Sequence, residues 1–368
     1  MSIQTAYSTR SLPDAVTELR LKSQDRRPPR VVLFFASADY EPAKISRLMQ
    51  NAFPDACVVG CTTAGEIASG EMLSGSVAAM FLGSEIVEDV AAVVVEHLNS
   101  GIAVHEAFAK FEDHFQASPA TWDVGEYLGL VLVDGLSGAE ERLMEKIGDA
   151  TDVFFVGGSA GDDLKFKSTY IYAGGKTYSD SAVLVLMRVR RGFEIVKTQS
   201  FRRIGKSLVA TKVDEARRMV IEFNHKPALE AYAEALGVPT AEGPNRFFEY
   251  PLGLMVEGEP FVRSPQRADG GSIVFYCQIK EGMELQVLKA ADIVTDTRLA
   301  IAAKKAAMGR ICGLIDFQCI LRTLQLRNEN RCHEYGAIFE GIPTAGFSTY
   351  GEAYLGHLNQ TSTMVLFR

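Results

Sequence analysis

Apolar positions along this chain come in short blocks that switch between two periods. Val31–Phe35 is a continuous apolar run of strand length, the pattern of a strand covered on both faces. Pro42 follows where the first turn of a helix tolerates proline. Ile45, Leu48, Met49 and Phe53 then recur at helical spacing. The apolar run Cys57–Val59 and, further on, Val77–Leu82 read as two more strands.

The same order returns twice. The strand Leu128–Val133 leads to Ser137-Gly-Ala-Glu140, which has the spacing of a capping box. Leu143, Met144 and Ile147 form the next helical stripe, and Val153–Val156 and Ala182–Met187 read as strands. The third round runs through Leu314–Leu321, a helix near Arg327–Phe339, then Pro343–Ala345 and Thr363–Phe367. In each round the same kind of turn follows the second strand. Gly60-Cys-Thr-Thr-Ala-Gly-Glu66 and Gly346-Phe-Ser-Thr-Tyr-Gly-Glu352 share the pattern G-x-[TS]-T-x-G-E, and Gly158-Ser-Ala-Gly-Asp162 keeps hydroxyl, glycine and acid in register. Three rounds of strand–helix–strand–motif–strand make an internal repeat.

The stretches between are less patterned. His105–Phe115 reads as an amphipathic helix, and Lys197–Val209 as a strand closing a first domain. Met219–Phe223 and Pro227–Leu236 read as strand then helix, Tyr250–Val256 and Ser272–Gln278 as a β pair, and Asp296–Met308 as an Ala-rich helix. At 368 residues the chain is too long for one ordinary core. The expected organisation is two α/β domains, 1–210 and 211–368. Each has mixed sheets with flanking helices, in an αββα layering, and the two are joined around a polar cleft.

Composition narrows the function classes. With 47% hydrophobic and 23% charged residues the chain is globular, and a net charge of -8 argues against nucleic-acid binding. The most basic stretch, Arg26–Arg30, holds two prolines and reads as a solvated linker. No signal peptide is visible at the N-terminus, and no apolar run approaches the ~18 residues of a membrane span. A cytoplasmic protein is expected. The six cysteines form no C-x-x-C pair, so no zinc or iron–sulfur site is indicated and the thiols are expected to be reduced, buried and inert. The identity of any metal is left open.

The repeated turns carry the candidate chemistry. Their glycines expose backbone N–H groups, their hydroxyls donate and accept, and their acids offer carboxylates. Such turns suit a small polar ligand, with N–H groups taking its carboxylate and an acid its ammonium. The candidate ligand residues are Cys61, Thr62, Thr63, Gly65 and Glu66; Gly158, Ser159, Gly161 and Asp162; and Ser348, Thr349, Tyr350 and Glu352. If the three turns converge on one cleft, Glu66, Asp162 and Glu352 share a face of the protein.

At these residues the chain resembles the FIST family, a bacterial sensory module with N- and C-terminal halves. The likeness rests on Val58–Ile67, Phe155–Asp163, Tyr250-Pro-Leu-Gly253, Phe261-Val-Arg263, Cys319, Ala345–Glu352, His357-Leu-Asn359 and Thr361. The resemblance implies a small-ligand sensor, with amino acids as the suggested ligands. Few residues are left over for an output domain, so the signal is expected to pass in trans to a histidine kinase or a cyclic-di-GMP enzyme. The chain is also similar to the family's haem-dependent nitric-oxide sensors in a two-component system. That likeness implies non-covalent haem b, one axial histidine, an apolar pocket and basic groups for the propionates. His225 and His357 are the candidate axial ligands among six histidines.

An enzyme is the competing class, although no catalytic set is recognised. Gly157-Gly-Ser-Ala-Gly161 satisfies G-x-S-x-G after a strand, and Cys61 sits in a turn. A hydrolase acting on a small amino-containing substrate would use Ser159 or Cys61.

Overall fold

The computed structural model describes residues 3–23 and 28–368. The expected basic linker at Arg26–Arg30 lies partly outside the described residues. The protein is α/β with mixed sheets. It divides into two compact units that do not follow a single cut near residue 210. One comprises Met1–Thr198, Thr297–His357 and Ser362–Arg368; the other comprises Gln199–Asp296 and Leu358–Thr361.

The first unit contains all three rounds of the repeat. In the first, Val31–Ser37 pairs in parallel with Cys57–Thr63 across the helix Pro42–Ala52. In the second, Tyr127–Val133 pairs with Phe155–Ser159 across Glu140–Ala150. In the third, Gly313–Cys319 pairs with Thr344–Thr349 across Ile320–Asn328. In each round a closing strand returns antiparallel to the first: Val77–Leu82, Ala182–Val189 and Thr361–Phe367. The registers repeat too, placing Ser37 opposite Thr63, Val133 opposite Ser159, and Cys319 opposite Thr349.

After each motif the chain crosses to a neighbouring sheet. The first hairpin, Glu66–Ala68 with Glu71–Leu73, pairs with the third round's Thr344–Thr349, setting Glu66 beside Phe347. The second, Ile171–Ala173 with Lys176–Tyr178, pairs with the first round at Cys61. The third, Glu352–Ala353, pairs with the second round at Gly158. The exchange is cyclic and produces three six-stranded sheets.

The inner faces of these sheets share one core. Phe35, Phe317 and Phe347, one or two from each of two sheets, meet there with centroids 4.8–6.4 Å apart. Leu128, Leu130, Leu132 and Val156 from the remaining sheet join the same cluster. Alternate residues face outward beneath helices: Val32, Phe34 and Ala36 with Ile45 and Met49, and Val131, Val133 and Phe155 with Leu143 and Ile147. Strands covered on both sides must be apolar throughout, hence the unbroken runs. Three sheets around a common core replace the expected αββα layering. Close backbone approach fixes some sequence: a Cβ on Gly60 or Gly346 would lie 2.1 or 2.0 Å from the carbonyl oxygen of Phe34 or Asp316.

The second unit is built on an eight-stranded sheet around the long strand Phe201–Asp214. The helix Ala228–Leu236 packs on it through Ala228, Leu229 and Tyr232. The expected strand Lys197–Val209 is broken at Ser200 into Phe193–Gln199 and Phe201–Asp214. Leu252–Val256 and Ser272–Phe275 are not partners. The first pairs with Glu259–Arg263 and Glu284–Ala290, the second with Met219–Phe223 and Pro265–Asp269. Both segments are apolar, and alternation alone does not specify partners.

Two local readings are also corrected. Ser137 forms no capping box: its hydroxyl donates to the Asp134 carbonyl (2.7 Å) and accepts from Ala139 N–H (3.3 Å), a turn that competes with capping. The third round's crossover helix Ile320–Asn328 starts directly after its strand, and the expected helix Arg327–Phe339 is present only as the short helices Cys332–Gly336 and Ala337–Phe339.

Candidate functional site

The parallel strands all end on the motif turns, and the turns meet in the first unit. Their backbones form a closed ring of hydrogen bonds. Ala64 N–H donates to Ser348 O (3.1 Å) and Ser348 N–H to Gly65 O (2.8 Å). Tyr350 N–H donates to Ser159 O (3.1 Å) and Ser159 N–H to Gly351 O (2.8 Å). Gly161 N–H donates to Thr62 O (3.0 Å) and Asp163 N–H to Thr63 O (3.3 Å). A Cβ on Gly161 would stand 2.8 Å from Ala64 N, so the second turn reaches the first only as glycine. Gly65 takes φ +130°, a region that L side chains rarely adopt.

The convergence expected from the sequence is present, but the motif groups are directed at one another. The N–H groups in the ring are already bonded. Thr63 donates to Glu66, whose carboxylate also accepts from Ser76 N–H (3.1 Å) and Ser76 Oγ (2.5 Å). Thr349 donates to Glu352 (2.5 Å), the same three-residue brace one round later. Both acids are buried. Burial pushes the Glu66 carboxyl up to about 7 against its hydroxyl and backbone donors. Asp162 behaves in the opposite way. Burial raises it, but the Tyr350 hydroxyl (2.5 Å) and the N–H groups of Lys167, Ser168 and Phe166 outweigh that and hold it below the usual carboxylate range.

The remaining candidates are bonded to, or packed against, neighbouring protein groups. Thr62 Oγ1 accepts from Tyr170 N–H (2.9 Å), and Ser348 Oγ lies 2.8 Å from Thr323 Oγ1. A Cβ on Gly158 would meet Thr349 Cγ2 at 2.6 Å. Cys61 is part of the apolar core, where burial raises its thiol well above the ordinary range. Ser159 is buried at the end of its strand, with its hydroxyl 3.4 Å from Glu140.

Sequence reasoning missed the groups at the rim. Asp163 is half-buried and accepts from Ser37 Oγ (3.3 Å); burial raises its pKa, and Arg327 and Lys165 oppose the rise. Arg327, exposed on the third helix, has Nη2 3.1 Å from where a Gly65 Cβ would lie. Lys165 pairs with Asp39 at 2.8 Å. Phe166, 55% exposed, stacks on Tyr350 with centroids 5.0 Å apart. Asp163, Leu164 and Phe166 all have positive φ, a costly run for non-glycine residues. The visible signal was length: the second motif is followed by 163–170 before its hairpin, whereas the other two hairpins start at the acid itself.

Family models match residues 30–226 as a FIST N domain and residues 228–354 as a FIST C domain. The protein belongs to the FIST family. FIST domains are small-ligand-binding sensory domains. An uncharacterized protein of Methanocaldococcus jannaschii is 23% identical to this FIST chain over 178 residues, 44% of the chain. The match spans 34% of that relative's length.

The haem expectation is tested by its histidines. His225 is exposed on a turn at φ +61°. His357 is 5% exposed, and its ring packs on Gly351, where a Cβ would lie 2.0 Å from Cε1. The partly apolar cavity nearest in sequence, about 680 Å³, is bounded by Val124, Met144, Phe154 and Leu355, and His357 is not among its lining residues. Its other lining residues include Glu145, Asp149 and Asp152 and no base. That charge is wrong for propionates, so these surroundings do not fit a haem. Among the described residues no group of three or more His, Cys, Asp or Glu side chains is placed to hold a metal ion, and no helix is long and apolar enough to cross a membrane.

Proposed function

We propose that the protein senses a small zwitterion of amino-acid type, held at the rim of the motif ring without being transformed, and reports its occupancy to a separate signalling protein. One observation carries the reading. Beside a ring whose own groups are mutually satisfied, Asp163 and Arg327 stand within electrostatic reach of each other, flanked by Ser37 and Tyr350. Arg327 suits a carboxylate and Asp163 an ammonium. The strained run 163–166 is of the kind that ligand clamps hold. The family's sensory character supports transmission to a partner, for which a histidine kinase or a cyclic-di-GMP enzyme is the candidate class.

The test is thermal unfolding with each amino acid in turn. A ligand at about 100 times its Kd stabilises by about 2.7 kcal/mol, a Tm rise of about 5–10 °C for a unit of this size. Asp163→Asn and Arg327→Ala should each weaken binding at least tenfold. If no amino acid shifts the wild type, or if product accumulates steadily with the bound compound, the reading is wrong.

A further inference from the structure

The last turn of the helix Glu140–Ala150 and the hairpin tip Leu355-Gly356 line one groove. It is the cavity of about 680 Å³ bounded also by Val124 and Phe154, and all of its lining residues belong to the first unit. Its apolar side chains face solvent: Leu355 is 63%, Val124 45% and Phe154 36% exposed. Scattered single exposures need no explanation, but three gathered around one cavity call for a cover. Leu355 is presented at φ +54°, a costly conformation for a residue with a side chain. Gly148 points the same way. It has helical backbone, where glycine is less stable than alanine. Nothing within the chain calls for it, since a Cβ there would meet no heavy atom within 4 Å. Its missing side chain leaves that part of the groove open.

The charge of the groove selects what covers it. Glu145, Asp149 and Asp152 are exposed and line it, with no base among the lining residues. Lys146, next to Glu145, is engaged with Ile102 O (2.8 Å). The helix carries an acid and no base in its last turn, so the negative end of its dipole adds to the acids. Such a rim repels nucleic acid and anionic bilayers and attracts lysine and arginine. We propose that this groove docks an amphipathic helix of a separate protein, its apolar face on Leu355, Val124 and Phe154 and its basic flank on the acidic rim. The groove is also tied to the motif ring: its tip begins three residues after Glu352, which Thr349 braces (2.5 Å). The proposal names a contact face for the signalling partner and needs no amino acid to be bound.

Fluorescence anisotropy of the full chain with a labelled helical peptide, leucine on one face and lysine on the other, tests it. Wild type should bind this peptide at least tenfold more tightly than counterparts with glutamate for lysine or glutamine for leucine. Gly148→Gln fills the groove without changing charge. It should weaken binding at least tenfold and leave the unfolding midpoint unchanged or higher, because the helix gains propensity. Asp149→Asn with Asp152→Asn should reduce the preference for lysine over glutamate. Should Gly148→Gln not fold, Leu355→Gln should show the same loss. Absence of binding to wild type overturns the proposal. Full affinity in folded Gly148→Gln or Leu355→Gln also overturns it, since the attraction is then general charge. So does a wild-type dimer in sedimentation that Gly148→Gln dissolves, because the occupant is then a second copy. The amino-acid screen by thermal unfolding can fail while this binding stands, and the reverse.

Discussion

Glu66 provides a pH-dependent measure of the motif ring. Its carboxyl is buried, and its pKa stands at about 7 against an ordinary 4.5. The difference corresponds to about 3.4 kcal/mol at 1.36 kcal/mol per pH unit. Because the folded value is raised, the stability linked to the protonated acid is fully present below about pH 4.5. It is lost as pH rises through about 7. Glu66→Gln removes that titration and keeps an acceptor for Ser76. At pH 8.5 the variant should therefore be more stable than wild type by about 2–4 kcal/mol; at pH 5 the two should agree within about 1 kcal/mol. Urea unfolding followed by fluorescence of Trp122, the chain's single tryptophan and a member of the first unit's core, gives the comparison. Asp316, raised to about 6 by burial, titrates equally in both proteins and cancels in their difference. A difference that stays constant from pH 5 to 8.5 would refute the argument. So would one of opposite slope, which would mean that the donors from Thr63 and Ser76 outweigh burial.

Phe35→Ala removes the ring that contacts both Phe317 and Phe347, and should cost about 3–5 kcal/mol in a urea titration. Gly346→Ala brings a methyl group to 2.0 Å from the Asp316 carbonyl oxygen, and should cost about 3 kcal/mol or prevent soluble expression. Tyr350→Phe removes a donor to Asp162 and an acceptor for Leu164 N–H (2.8 Å). It should loosen 163–168 by about 1–3 kcal/mol, visible as faster amide exchange there with the unfolding midpoint of Trp122 little changed.

Much of the first unit is legible along the chain because its strands are buried on both faces and its helices on one. That burial writes unbroken apolar runs and helical stripes into the sequence three times. The motif turns are equally visible, since glycine, hydroxyl and acid are what tight turns with internal braces need. The role of the acids was less legible. The braces Thr63–Glu66 and Thr349–Glu352 close within three residues, but a ligand-binding acid would carry the same letters. Arg327 and Ser37 escaped notice because each comes from a different round and carries no motif of its own, and Asp163, the last residue of the likeness at Phe155–Asp163, was not singled out as a ligand residue.

The sequence by itself determined the repeated strand–helix–strand–turn unit and the family. Period and turn chemistry are local, and each is set by neighbours within a few residues. Only the tertiary structure decided that each hairpin crosses to another round's sheet. Ala68 finds its partner at Ala345, far along the chain, through backbone groups that every residue possesses. The same long-range pairing closes the motif turns into a ring and returns 297–357 to the first unit. It also decides which charges stand at the rim of that ring.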